Sequence, residues 1–149
     1  MTPPWTPETR VKVQASVKIA RPAAKTFAYL TEFESWHWWG GGLVSMTKVT
    51  PGAPRKGTEV RQVTHRRGRE RTTQLKIVEL VKDRALTLEG TDMAATFRLE
   101  PFEAGTRVTC EVVVPASGVS ALLYRVLLRR FVAGDLRKFK RAVEAAQID

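Results

Sequence analysis

The stretch GVSALLYRVLLRRFVAGDLRKFKRAVEAA, Gly118 to Ala146, decides the architecture. It holds no proline and reads as one long helix. Gly118 with Ser120 suits a helix start. Arginines and lysines crowd the second half, where the helix dipole favours cations. At 1.5 Å per residue such a helix spans about 40 Å, enough to cross a small domain. Everything before it reads as short strands and turns. A run of strands closed by one long helix needs that helix to plug the sheet.

The helix carries two apolar stripes. Val119, Leu122, Leu123 and Val126 form the first; Val132, Leu136, Phe139 and Val143 form the second. At about 100° per residue they lie roughly 120° apart, bridged by Leu127, Leu128 and Phe131. Two readings stay open. The helix changes neighbours along its length, with a bend near Gly134. Alternatively, the first stripe lies at a pocket mouth, a dimer contact or a membrane surface.

A chain of 149 residues is expected to form one domain, here residues 9–149, behind an N-terminal arm, 1–8, that contains Trp5. A hydrophobic share of 43% supports a real core. No apolar run reaches the length of a membrane span, and MTPPWTPETR lacks the basic-then-apolar order of a signal peptide. A cytoplasmic location is the default expectation. The single cysteine, Cys110, excludes an internal disulfide and a cysteine-rich zinc site. A net charge of +10 fits either attraction to anionic surfaces or a well-solvated basic exterior.

Along the chain, Thr9 to Ala20 alternates: Val11, Val13, Ala15, Val17 and Ile19 face one way, Lys12, Gln14, Ser16 and Lys18 the other. That is a half-buried strand. Arg21-Pro22 opens a short helix through Leu30, and Thr31 to Trp39 suggests a second, ended by Gly40-Gly41-Gly42. Strands follow at 43–49, 58–65, 71–81, 84–90, 93–101 and 106–114, with a hairpin turn at Arg66-Arg67-Gly68-Arg69. The expected fold is α+β: a curved antiparallel sheet of six to seven strands around the long C-terminal helix, with two short helices after the first strand. A helix does not fill a curled sheet completely, so a ligand-sized cavity is a natural by-product.

These residues resemble the helix-grip superfamily (SRPBCC), which includes START-like domains, the birch-pollen allergen type and the polyketide cyclase/dehydrase and lipid-transport family. The likeness rests on Ile19-Ala20-Arg21-Pro22-Ala23 followed by Phe27 and Leu30, and on Phe33, Trp36 and Trp39 before the second strand. Pro54 with Gly57-Thr58, Gly105-Thr106 with Val108-Thr109, and the long final helix complete it. The resemblance runs from about Lys12 to the end. It implies a helix-grip fold with a hydrophobic ligand cavity. It does not imply one activity, because the superfamily holds carriers, receptors and cyclases. No family catalytic motif carries over residue by residue. The chain departs from the simplest pattern in its Trp-His-Trp-Trp-Gly-Gly-Gly run and in its basic hairpin.

Trp36, Trp38 and Trp39 offer large, stiff apolar area beside the expected cavity, with His37 among them. His37 is either a titrating group there or an exposed residue without a partner. Gln62, Thr64, Arg71 and Thr73 fall on the inward faces of neighbouring strands, where they would orient a ligand carbonyl or hydroxyl; an inward Arg71 would suit a carboxylate or enolate. The alternative for Arg71 is a strand end projecting into water. Leu75, Met93, Ala95, Phe97 and Cys110 are the expected apolar wall, and Tyr124 and Leu128 the helix side. Tyr29 and Tyr124 are structural packing or hydrogen-bond donors.

No metal-ligand spacing, phosphate-binding glycine loop or nucleophile–base motif is visible, so neither metal nor cofactor is expected. Arg66, Arg67, Arg69 and Arg71 form a basic hairpin tip, and Arg129, Arg130, Arg137, Lys138, Lys140 and Arg141 a basic helix face. Aromatics are not interleaved with these charges as stacking on nucleic acid requires, so no specific nucleic acid is expected. A solvated surface is the first reading and weak anionic-membrane contact the second. The primary functional expectation is a binder or carrier of a hydrophobic or aromatic small molecule, monomeric or homodimeric. The rival is a cyclase or dehydratase using the same cavity, with His37 or His65 as base and Arg71 or Tyr124 polarising a carbonyl. A surface binder of anionic membrane or nucleic acid is the third.

Overall fold

The computed structural model describes residues 10–115 and 120–146. The expected arm with Trp5, Gly118 of the expected helix start and Val119 of the first stripe lie outside the described residues. Seven strands form one sheet: β1 (Arg10–Ile19), β2 (Leu43–Lys48), β3 (Glu59–Arg66), β4 (Arg69–Val81), β5 (Ala85–Glu89), β6 (Ala94–Phe102) and β7 (Gly105–Pro115). Helix α1 (Ala23–Leu30) follows β1, and helix α2 (Ser120–Ala145) ends the fold. The strand order is β1-β7-β6-β5-β4-β3-β2, antiparallel throughout, and the sheet curves around α2.

Consecutive hairpins produce this order because each short turn returns the chain beside the strand it has just left. The β3–β4 turn is two residues long, with Arg67 at φ 51° and Gly68 at φ 75°. Both central residues have positive φ, the geometry that matches strand twist, and glycine supplies one of them without strain. β1 closes the sheet against β7 over the full register from Arg10↔Pro115 to Ile19↔Thr106.

The alternation in β1 holds. Val11, Val13 and Ile19 are buried, while Lys12, Gln14, Ser16 and Lys18 are exposed. The second stripe of α2 meets that face: Val132, Leu136, Phe139 and Val143 are all buried. The first stripe does not reach the core, and Leu122, Leu123 and Val126 are exposed. α2 continues unbroken through Gly134.

The segment after α1 is a 3₁₀ helix, Phe33–Trp38, not an α-helix. This matters for the tryptophans. Three residues per turn place positions i and i+3 one above the other. Phe33, Trp36 and Trp39 therefore share the inner side, and all three are buried. Trp38 falls on the outer side and is 71% exposed. The expectation that Trp38 lines the cavity is corrected: Trp36 and Trp39 turn inward, and neither helical period puts Trp38 on the same side as both.

The far end of α2 is tied to the β1–α1 junction. Glu144 accepts from the Ala20 backbone N–H at 2.8 Å and from Lys140 at 2.6 Å, and Arg21 donates to the Glu144 carbonyl. That clamp fixes where α2 leaves the sheet, and so leaves the opening at its other end.

Candidate functional site

Between the concave face of the sheet and α2 lies a cavity of about 380 Å³. Its floor comes from β6 and β7, where strand register sets Ala95 opposite Val112 and Phe97 opposite Cys110. One wall comes from β3 and β4, where Gln62 faces Thr73 and Thr64 faces Arg71 across the pair. Tyr124, Leu128, Phe131, Val132, Asp135 and Leu136 form the roof on α2. Trp36, Trp39, Gly40 and Gly41 close the near end.

The cavity thus brings together Trp36, Trp39, Gln62, Thr64, Arg71, Thr73, Met93, Ala95, Phe97, Cys110, Tyr124 and Leu128 from six separate stretches of the chain. Leu75 is not among its lining. It is inward and buried, but its Cδ2 lies where a side chain on Gly90 would be, so it packs beneath the cavity wall. His37 is exposed and its ring stacks on Trp38 at 4.6 Å; His65 is exposed as well. Neither is among the cavity's lining residues, which corrects His37 as a catalytic candidate and His65 as its alternative. Arg71 stands at the rim, its side chain largely exposed and paired with Asp92. Both readings of Arg71 meet there: it borders the cavity and still reaches water.

Rings pack the near end. Trp36 and Trp39 have centroids 4.8 Å apart, Trp36 meets Phe97 edge-on at 5.5 Å, and Trp39 meets Phe139 at 4.9 Å. The Trp36 indole N–H donates to the Leu30 carbonyl at 2.7 Å. The Trp39 indole N–H is buried without a hydrogen-bond acceptor among the described residues. An unmet buried donor is costly, and the aromatic faces around it offset only part of that cost.

One polar lining residue, Asp135, was not foreseen. Asp135 borders the cavity from α2, and its Oδ1 accepts the Gly41 backbone N–H at 3.1 Å. Burial pushes its carboxyl above the ordinary aspartate range; the Gly41 hydrogen bond, Lys138 and Arg66 pull the other way without cancelling it. Arg66 donates to the Gly41 carbonyl at 3.2 Å and lies over the Phe131 ring at 4.7 Å. One loop residue, Gly41, therefore holds a carboxyl with its N–H and a guanidinium with its C=O. The signal for Asp135 was present in its spacing. Tyr124, Leu128, Phe131 and Asp135 recur at i, i+4, i+7 and i+11, one helical face.

Cys110, unlike the half-buried Asp135, is a fully buried titratable group in this wall. Burial pushes its thiol far above the ordinary cysteine range, with Asp135 and Glu111 adding to the shift. It behaves as a small apolar group. Among the described residues, no three of His, Cys, Asp and Glu come together in a way that would hold a metal ion.

Residues 10–146 match the family described as polyketide cyclase / dehydrase and lipid transport. The chain belongs to that family. No curated protein matches the chain in sequence. Solved structures share the fold of this polyketide cyclase/dehydrase and lipid-transport family member. A protein from Thermus thermophilus, TTHA0849, superposes with a TM-score of 0.73 at 19% identity, covering 92% of this chain and 99% of its own. The Zhui aromatase/cyclase from a Streptomyces species gives 0.74 at 14% identity, covering 91% and 94%. The di-domain ARO/CYC StfQ of the steffimycin biosynthetic pathway gives 0.73 at 14% identity, covering 93% of this chain and 50% of its own. At these identities the likeness is one of fold. It places the helix-grip architecture beyond the sequence argument and leaves the chemistry to the cavity itself.

Proposed function

We propose that this protein binds a hydrophobic or aromatic small molecule in the cavity between sheet and α2, and that the polar groups in its lining, Asp135 and Arg66 among them, orient it. The observation that carries this reading is the cavity's mixed lining. Trp36, Trp39, Phe97 and Leu128 offer apolar wall, while Gln62, Thr64 and Thr73 enter the lining from β3 and β4 and Asp135 enters it from α2. An apolar chamber with a few convergent polar groups is the usual form of a small-molecule site. Apolar contact supplies affinity, and the polar groups select which end of a ligand enters first.

Native mass spectrometry of the purified protein, with organic extraction of bound material, tests this directly. A discrete co-purifying lipid or aromatic compound at one copy per chain is the expected result. In parallel, 1-anilinonaphthalene-8-sulfonate is titrated against tryptophan fluorescence. Ala95→Phe, which puts a ring into the chamber floor, is expected to weaken uptake at least about tenfold. A clean mass, with identical titrations for both proteins, would remove the cavity as the functional site.

Asp135 favours a second reading, a cyclase or dehydratase acting in the same chamber. A carboxyl held above its ordinary range exchanges protons nearer neutral pH than a surface aspartate does. Asp135→Asn separates the two. A binder keeps its ligand affinity; an enzyme keeps affinity and loses turnover.

A further inference from the structure

The first three turns of α2 are exposed on several sides. Leu122, Leu123 and Leu127 are 71%, 63% and 56% exposed. Val126 joins them, and together the four fill an arc of about 140° at 100° per residue. Isolated surface leucines are ordinary; a contiguous set on one helix marks a contact. Arg130 lies within the arc, and Arg129 and Arg125 border it. Long arginine stems run along apolar surface while their guanidinium groups reach a polar layer beyond it.

Charge decides the occupant. From Ala121 to Phe131 there are three arginines and no acidic residue. A second copy stacked on this face would set arginine against arginine with nothing to offset the repulsion. Arg125 also shares a shallow surface notch with Arg10, Lys12 and Gln14, where Lys12 is paired to Glu111 at 3.5 Å. The chain as a whole carries +10. An apolar arc edged by cations matches a layer of acyl chains under anionic headgroups.

The same turns carry Tyr124, Leu128 and Phe131, which line the cavity from the α2 side. The exposed face and the cavity mouth are therefore adjacent. We propose that this face docks on an anionic phospholipid bilayer, with the cavity mouth turned toward the lipid. Docking rests on the helix surface alone. That a ligand passes between bilayer and cavity rests in addition on the cavity reading above.

Co-sedimentation of the full chain with phosphatidylcholine vesicles, with and without phosphatidylglycerol, tests the docking. Binding is expected on the phosphatidylglycerol vesicles, weakened by high salt, and little on phosphatidylcholine alone. Leu123→Ser with Leu127→Ser should lower vesicle partitioning at least about tenfold with Tm unchanged. Replacing Arg125, Arg129 and Arg130 by Gln should lower it by about fivefold per arginine. Four results would overturn the proposal. One is no sedimentation with anionic vesicles. Another is equal binding by the leucine variant. A fall in its Tm would show that another part of the chain covers the face. A dimer in sedimentation equilibrium that the leucine variant dissociates would give the face to a second copy. Ala95→Phe fills the cavity and leaves the helix face untouched, so it should dock normally. Its docking separates failure of the surface from failure of the cavity.

Discussion

The backbone N–H of Gly41 donates to Asp135 Oδ1 at 3.1 Å, joining the loop before β2 to the middle of α2 across 94 residues of sequence. A side chain at position 41 has no room. A Cβ there would come within 2.9 Å of the Phe131 ring and 3.2 Å of that same Oδ1. Gly41→Ala is expected to displace Phe131, lengthen the hydrogen bond and cost about 1–3 kcal/mol in urea unfolding. Unchanged stability would mean that the loop shifts freely and does not hold Asp135.

Asp135 makes stability depend on pH with a definite sign. Burial raises its folded-state pKa, so folding favours the protonated carboxyl. That contribution is fully present below the ordinary aspartate pKa and is lost as pH rises through the raised value. Asp135→Asn stays neutral and keeps an acceptor for Gly41. Its Tm should exceed that of the wild type at about pH 7 and match it at about pH 3. A variant less stable at neutral pH would show that the charged carboxylate is preferred in the fold.

Trp36 and Trp39 lie in one ring cluster but differ at their N–H groups. Trp36 satisfies the Leu30 carbonyl; Trp39 satisfies nothing among the described residues. Changing each to Phe removes similar ring volume, so the difference isolates the hydrogen bond. Trp36→Phe should cost about 1–3 kcal/mol more than Trp39→Phe, because it strands a buried carbonyl. Equal costs in chemical denaturation would contradict the pairing.

Cys110 should resist thiol reagents in the folded protein. Its thiol is buried in the cavity floor and stays protonated well above neutral pH. Labelling by 5,5′-dithiobis(2-nitrobenzoic acid) at about pH 8 is expected to run at least about a hundredfold slower than in urea, limited by opening of the fold. Fast labelling of the native protein would mean that water reaches the floor freely.

How much of this was legible beforehand depended on the range of the interaction involved. Strand β1 was readable because alternation of Val11, Val13 and Ile19 with Lys12, Gln14 and Lys18 is a local period of two. The buried stripe Val132, Leu136, Phe139 and Val143 was readable because its spacing is the local period of a helix. Those periods, with turn residues between them, were enough for a curved antiparallel sheet around a terminal helix. Which tryptophan turns outward was not readable, since Trp36, Trp38 and Trp39 do not share one face at either helical period and packing against Phe97 and Phe139 decides which ones are buried.

The sequence by itself therefore determined the elements, their order and the apolar face of each, because backbone geometry converts spacing directly into sidedness. Only the tertiary structure decided what those faces meet. Asp135 became a half-buried acid because a glycine 94 positions away closes over it. Arg71 became a rim residue because Asp92 stands beside it after the sheet has curled. The leucines of α2 stayed exposed because the buried stripe begins only at Val132, leaving the first turns of the helix beyond the core. Each outcome depends on distances between segments far apart in the chain, and local periodicity carries no information about those.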